Sequence, residues 1–149
     1  MSQVRQYLEM VARMRDQMTK ADFPYRYKGV EALVLAEGID YPVIASAQEA
    51  DELLGRGETK GCYRNAWTAA MDDPSLTYVE GFAASIIPTQ HAWVIDAYGV
   101  VYDNTWSTPG SEYLGIPIPT GTLRRITQRT GYFGVLDPMI NPDILDGVR

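Results

Sequence analysis

Two of the residue types that most often carry chemistry are almost absent from this 149-residue chain, which holds one cysteine, Cys62, and one histidine, His91. A lone cysteine cannot close an internal disulfide, and one Cys with one His falls short of the four N/S ligands of a structural zinc site. No metal site is expected. Basic residues are also few: 13 Lys and Arg against 19 Asp and Glu leave a net charge of -6, so phosphate neutralisation has little to draw on and nucleic acid is not an expected partner. No stretch approaches the roughly 18 continuous apolar residues needed to cross a bilayer. The opening MSQVRQYLEM has no apolar signal core, so the chain reads as soluble and cytoplasmic, with no membrane partner. Gly81, Gly99, Gly115 and Gly121 form no phosphate loop, and no cofactor is expected.

What the chain does have is apolar content: 46% of its residues are hydrophobic, including three Trp, ten Tyr and three Phe, enough for one compact core and a single domain over 1–149. Val4, Leu8, Val11, Met14 or Arg15, and Met18 recur at helical spacing and predict an amphipathic helix over 2–18. Residues 30–36 (VEALVLA) fit either a helix or a buried strand. Ser46 and Glu49 form the S-x-x-E pattern of a capping box, which predicts a short helix over 46–55 before Gly55 and Gly57. Cys62 opens a further helix to about 72, with Tyr63, Ala66, Trp67 and Ala70 on one side, stopped before Pro74. From Leu76 the period becomes two, and strands are expected near 76–83, 91–96 and 100–105. A last helix should run from Thr120 to Gly131, and the segment 137–149, with two of the nine prolines among Asp and Asn, reads as a draped arm rather than an element. The fold class is α+β: helices from both ends and the Cys62 helix against one face of an antiparallel sheet of about four strands.

A helix N-terminus presents unpaired amides and the positive end of the helix dipole, both of which favour a thiolate. Cys62 occupies that place, and an imidazole within reach would take the thiol proton and return it to a leaving group. Taken singly, Cys62 and His91 are each as well explained as core residues. In His91-Ala92-Trp93-Val94-Ile95-Asp96 side chains alternate, so His91, Trp93 and Ile95 share a face and Asp96 points the other way. A three-residue hairpin loop closed by Gly99 pairs Asp96 with Val100, sets Trp93 opposite Asp103 and leaves Asp103 diagonal to His91 on one face. A four-residue loop pairs Ile95 with Val100 instead, turns Asp103 away and makes Asn104 the group that orients His91.

Cys62 opening a helix, the strand Tyr78-Val79-Glu80-Gly81, His91-Ala92-Trp93 and Asp103-Asn104-Thr105-Trp106 together resemble the transglutaminase-like (papain-like) cysteine enzymes. The resemblance covers about residues 60–107. It implies a papain/transglutaminase-like fold, with the nucleophile helix packed on a small antiparallel sheet. It implies a Cys62–His91–Asp103 triad, with Cys62 as nucleophile, His91 as base and Asp103 as the group that orients it. Asn104 stands where that family commonly has Pro, and no Gln just before Cys62 supplies an oxyanion donor. Gln48, Tyr41, Tyr63, Gln90 and the amide of Cys62 are candidate donors, with Trp93 and Asn104 as supporting candidates. Glu80 either faces the site and touches substrate or pairs at the sheet surface; Trp106 and Tyr102 read as packing residues.

Two function classes compete. The first is acyl transfer or hydrolysis of an amide, ester or thioester in a peptide, protein or small molecule, through an acyl-enzyme on Cys62. Here the enzyme is a thiol hydrolase or acyltransferase. The second is a catalytically inactive fold of the same kind acting as a binding or assembly module, with the first helix and its Met10, Met14 and Met18 as a self-association surface.

Overall fold

A computed structural model describes residues 2–148 of the chain. The first helix, α1 (Gln3–Met18), starts where the Ser2 hydroxyl accepts the Arg5 amide at 3.0 Å, and it buries Val4 and Leu8. Met14 and Met18, placed by periodicity on the same stripe, are 53% and 81% exposed. The far end of α1 is held by a polar contact instead, from Arg15 Nε to Glu31 Oε1 at 2.8 Å. The ambiguous apolar run is α2 (Val30–Glu37), a helix that buries Val30, Leu33 and Val34. After the short strand β1 (Ile39–Asp40) comes α3 (Ala47–Leu54), opened by a complete capping box between Ser46 and Glu49. Gly55, at φ 75°, ends it.

Next is α4 (Cys62–Asp72), which buries Cys62, Ala66 and Ala70 on one line, two of them small enough to let the helix lie close on a sheet. The sheet itself is formed by β2 (Thr77–Ala84), β3 (Pro88–Ile95), β4 (Val101–Tyr102) and β5 (Glu112–Ile118), together with β1. It is a curled antiparallel sheet in the order β1-β5-β2-β3-β4. Its five strands exceed the expected four, and the difference is instructive. Gly115 and Pro117 break the sequence signal of β5. Gly115 faces Gly81 across the pairing with β2, and a Cβ on Gly115 would meet the Trp93 ring at 2.8 Å, so close packing needs the missing side chain. Pro117 lies beyond the two residues that β1 pairs, where no ladder donor is required of it. Strand β3 begins at Pro88 rather than 91, and β4 stops at Tyr102 instead of reaching 105.

The sheet buries both faces. On one, Tyr78, Phe82, Ala92, Val94, Leu114, Ile116 and Ile118 join residues of α1, α2 and α4, and of α5 (Thr120–Thr130), in the main core. On the other, Tyr41, Val79, Ala83, Trp93, Val101 and Tyr113 form a smaller cluster. The C-terminal segment departs from the expected loose arm: Pro142–Asp146 is a 3-10 turn whose Ile144 and Leu145 enter the main core. The Leu145 carbonyl accepts the Tyr27 amide at 2.8 Å, and Asp146 accepts the Arg26 amide at 3.0 Å. Two apolar residues among the prolines suffice to seat the segment.

Candidate functional site

The turn after β3 decides where Asp103 goes. Ile95 pairs with Val101 and Val94 with Tyr102, the register of a three-residue loop, with Gly99 at φ 78°. Asp96 stabilises that loop by accepting the Tyr98 and Val100 amides at 2.9 and 3.0 Å, so it serves the turn and not His91. Because β4 pairs only with the last two residues of β3, it leaves the β3 edge uncovered at His91. The chain leaving β4 fills that space with Asp103, Thr105 and Trp106.

His91 Nε2 lies 2.8 Å from Asp103 Oδ2, and both side chains are about 98% buried or more, being 2% and 1% exposed. The Tyr113 hydroxyl donates to the same oxygen at 2.7 Å and itself accepts the Gly110 amide at 2.8 Å. The other carboxylate oxygen accepts the Thr105 amide at 3.0 Å and the Trp106 amide at 3.4 Å. The Trp106 ring stacks on the imidazole at 3.8 Å between centroids and 15° between planes. Burial alone would pull the His91 pKa down. Hydrogen bonds to Asp103 and to Cys62, with the charges of both, outweigh it and raise the value to about 9. Burial likewise pushes Asp103 up, but the hydrogen bond and charge of His91, helped by Tyr113 and the Thr105 amide, hold its carboxyl below the usual range. Nε2 being engaged by Asp103, Nδ1 is the ring nitrogen left for the thiol.

Cys62 is the first residue of α4, where amides lack intrahelical acceptors, and it is 9% exposed. The turn that delivers it is strained: Lys60, two residues earlier, sits at φ 64°, a left-handed conformation that costs a residue with a side chain. Asn65, one turn into the helix, clamps that turn by donating to the Glu58 carbonyl at 2.9 Å and accepting the Glu58 amide at 3.2 Å. Its amide also donates to Thr105 Oγ1 at 2.9 Å, tying the cysteine helix to the segment that carries Asp103.

Glu80 is buried in the main-core face of β2 and is not a surface ion pair. Its carboxylate accepts the Tyr78 hydroxyl and the Val135 and Leu136 amides, the latter two at 2.9 Å each. Burial raises its pKa despite these bonds, and the charge of Asp137 adds to the rise.

The remaining sequence candidates separate. Gln48 is on the exposed side of α3, bonded to Glu52 at 3.0 Å, and is not at the site, because the capping box turns that face of the helix to solvent. Asn104 points away from His91: its side chain donates to the Gly55 carbonyl at 3.0 Å, and its own carbonyl accepts the Gly57 amide at 2.9 Å. The loop register that brought Asp103 to His91 sends Asn104 to the opposite side. Trp93 is buried with its ring 6.3 Å from His91 and packs edge-on against Tyr113 at 4.9 Å, so it props the tyrosine while Trp106 covers the imidazole. Tyr41 packs on Trp93 in the small cluster. Tyr63 and Gln90, chain neighbours of Cys62 and His91, line one cavity of about 300 Å³.

Sequence reasoning passed over Tyr113, Asn65 and the stacking role of Trp106. Tyr113 had no local signal, since only strand β5, itself unseen, brings it to Asp103. Trp106 did have one, following the acid by three residues. Among the described residues no cluster of acidic, His and Cys side chains is arranged to hold a metal ion, and no helix is long and apolar enough to cross a membrane. Compared with known proteins, the chain matches no family model, no curated sequence and no solved structure.

Proposed function

We propose that this chain is a cysteine-dependent hydrolase or acyltransferase of transglutaminase-like, papain-like kind, acting on an amide, ester or thioester through Cys62, His91 and Asp103. The observation that carries the reading is a buried imidazole bonded through Nε2 to Asp103, with its pKa raised by Asp103 and by Cys62, the residue that opens α4. In the reaction Cys62 Sγ attacks the carbonyl carbon, and the thiol proton, held on His91 Nδ1, passes to the leaving group as the acyl-enzyme forms. Asp103 fixes the ring and stabilises its charged form. The Cys62 amide, at the first turn of α4, is the oxyanion donor we assign. Substrates are peptides, proteins or small amides and esters. A thiol used in this way needs a reducing compartment, which fits the cytoplasm.

One observation favours the second reading, a binding or assembly module: Cys62 is 9% exposed and the His91 ring is covered by Trp106. Alkylation by iodoacetamide separates the two. On the catalytic reading native Cys62 reacts at neutral pH at least about tenfold faster than in a folded His91→Ala variant, since the imidazole holds the proton. A thiol that reacts only after denaturation, or equally in both proteins, sinks the enzyme.

A further inference from the structure

The face of the sheet opposite His91 opens on a cavity of its own. Register sets it there: Gln90 and Ala92 of β3 point away from the His91 face, and Glu80 of β2, paired with Ala92, shares their side. The cavity that Gln90 and Glu80 line has a volume of about 300 Å³, enough for a small ligand, and neither Cys62, His91 nor Asp103 lines it. Three aromatic rings wall it, Tyr63 from α4 and Tyr132 and Phe133 from the chain after α5. The walls are built in. Phe133 packs edge-on against Trp67 of α4 at 5.3 Å. Gly134 lets the Tyr63 ring rest on the backbone, since a Cβ there would stand 3.3 Å from Tyr63 Cδ1. Glu80 holds the same segment by accepting the amides of Val135 and Leu136. Tyr132 and Phe133 are 57% and 40% exposed, which leaves that rim open to solvent.

The charge of the cavity is one-sided. Glu80 and Asp137 line it, and among the described residues no Lys, Arg or His does. Every bond that the Glu80 carboxylate accepts comes from a neutral donor, Asp137 accepts the Met139 amide at 2.9 Å, and among the described residues no salt bridge reaches either acid. Burial raises the pKa of the Tyr63 hydroxyl, and the charges of Glu80, Cys62 and Asp137 add to the rise, so both acids lie within electrostatic reach of that ring. An anion entering the cavity would be desolvated beside two carboxylates with nothing to pair it. A cation meets the opposite conditions, because carboxylates held by neutral donors still lack a countercharge and the faces of Tyr and Phe rings attract positive charge. The Arg64 guanidinium, 6.0 Å from the centre of the Phe133 ring, makes such a contact from outside the cavity lining.

We infer that this cavity binds an alkylated ammonium group, held among the Tyr63, Tyr132 and Phe133 rings with Glu80 and Asp137 as its countercharges. The site is separate from the Cys62 centre and stands whether or not that centre is catalytic.

The test titrates the isotope-labelled full chain with choline and with 3,3-dimethylbutan-1-ol, its uncharged isostere, and follows the backbone amides by NMR. Choline is expected to bind roughly tenfold or more tighter than the alcohol, with the largest shifts at Tyr63 and at Phe133 to Leu136. Phe133→Leu keeps apolar bulk at a partly exposed position and removes the ring face; it should weaken choline about fivefold and the alcohol less than about twofold, with unchanged circular dichroism. Should that variant fail to fold, Tyr132→Leu, at the more exposed ring, is read in the same way. Asp137→Asn keeps an acceptor for the Met139 amide and should weaken choline about threefold without moving the alcohol. Equal affinity for choline and the alcohol, shifts confined to other parts of the chain, or no binding of choline overturns the site. Acetylated trimethyllysine amide, titrated in parallel, presents the same head on a protein-like body. Tighter binding than choline identifies the ligand as a methylated lysine side chain, weaker binding as a free small ammonium compound, and either retains the site.

Discussion

Asp103 and Glu80 are both buried carboxylates, 2% and 4% exposed, and both accept several hydrogen bonds, yet their pKa values move in opposite directions. The partners explain it. Asp103 faces the His91 ring, whose hydrogen bond and positive charge favour the carboxylate, whereas Glu80 meets a tyrosine hydroxyl and two amides with a second acid, Asp137, nearby. Neutral donors satisfy a carboxylate without fully offsetting the cost of taking its charge out of water; a cation does both. The comparison assigns the two acids different work. Asp103 is coupled electrostatically to the His91 ring, and Glu80 fastens Val135 and Leu136 beside the cavity that Tyr63 and Gln90 line.

The strongest way to break that division is Asp103→Asn. All four contacts of Asp103 are donors, so an amide can satisfy only one side of the carboxylate's place and must set its own N–H groups against donors on the other. Acylation or alkylation of Cys62 should fall on the order of a hundredfold or more, while most of the stability survives. The converse change, Glu80→Ala, strands the Val135 and Leu136 amides and the Tyr78 hydroxyl. It should cost on the order of 3 kcal/mol in urea unfolding and reduce Cys62 reactivity much less. If Glu80→Ala silenced Cys62 in a still-folded protein, Glu80 would belong to the reacting centre and the comparison would fail.

The pH dependence of stability sharpens the same contrast. The folded-state pKa of His91 is raised to about 9 from 6.5, so the stability it contributes is fully present below about pH 6.5 and is lost as pH rises through about 9. Thermal unfolding followed from pH 6 to 10 should show that decline in the native chain and a flatter profile in His91→Gln; parallel profiles would mean the Asp103 contact leaves the ring unperturbed. The smallest effect belongs to Tyr113→Phe, which removes one donor to Asp103 and the acceptor of the Gly110 amide. A loss of about 1 kcal/mol is expected, and the His91 titration followed by NMR should shift upward as the less well bonded carboxylate leans harder on the ring. An unmoved titration would reduce Tyr113 to packing.

Local chemistry was legible wherever neighbours in sequence settle the matter. The Ser46–Glu49 box, Gly55 and Gly131 as stops, and the small-residue line of α4 need no distant partner to act. The register of the β3–β4 turn was narrowed to two choices, and Gly99 with the two amides bonded by Asp96 selects one of them. Everything that depended on strand β5 was hidden, because Gly115 and Pro117 are favourable only against Trp93, Gly81 and a short β1. The same holds for Glu80, whose partners lie more than fifty residues away at Val135 and Leu136. Sequence alone thus determined the helix that presents Cys62, the alternation that separates His91 from Asp96, and the acid whose approach to His91 depended on one turn. Tertiary structure alone decided which ring covers the imidazole, which hydroxyl steadies Asp103 and which buried acid walls a cavity, because those are contacts between distant segments, and their energies exist only once a sheet has brought the segments together.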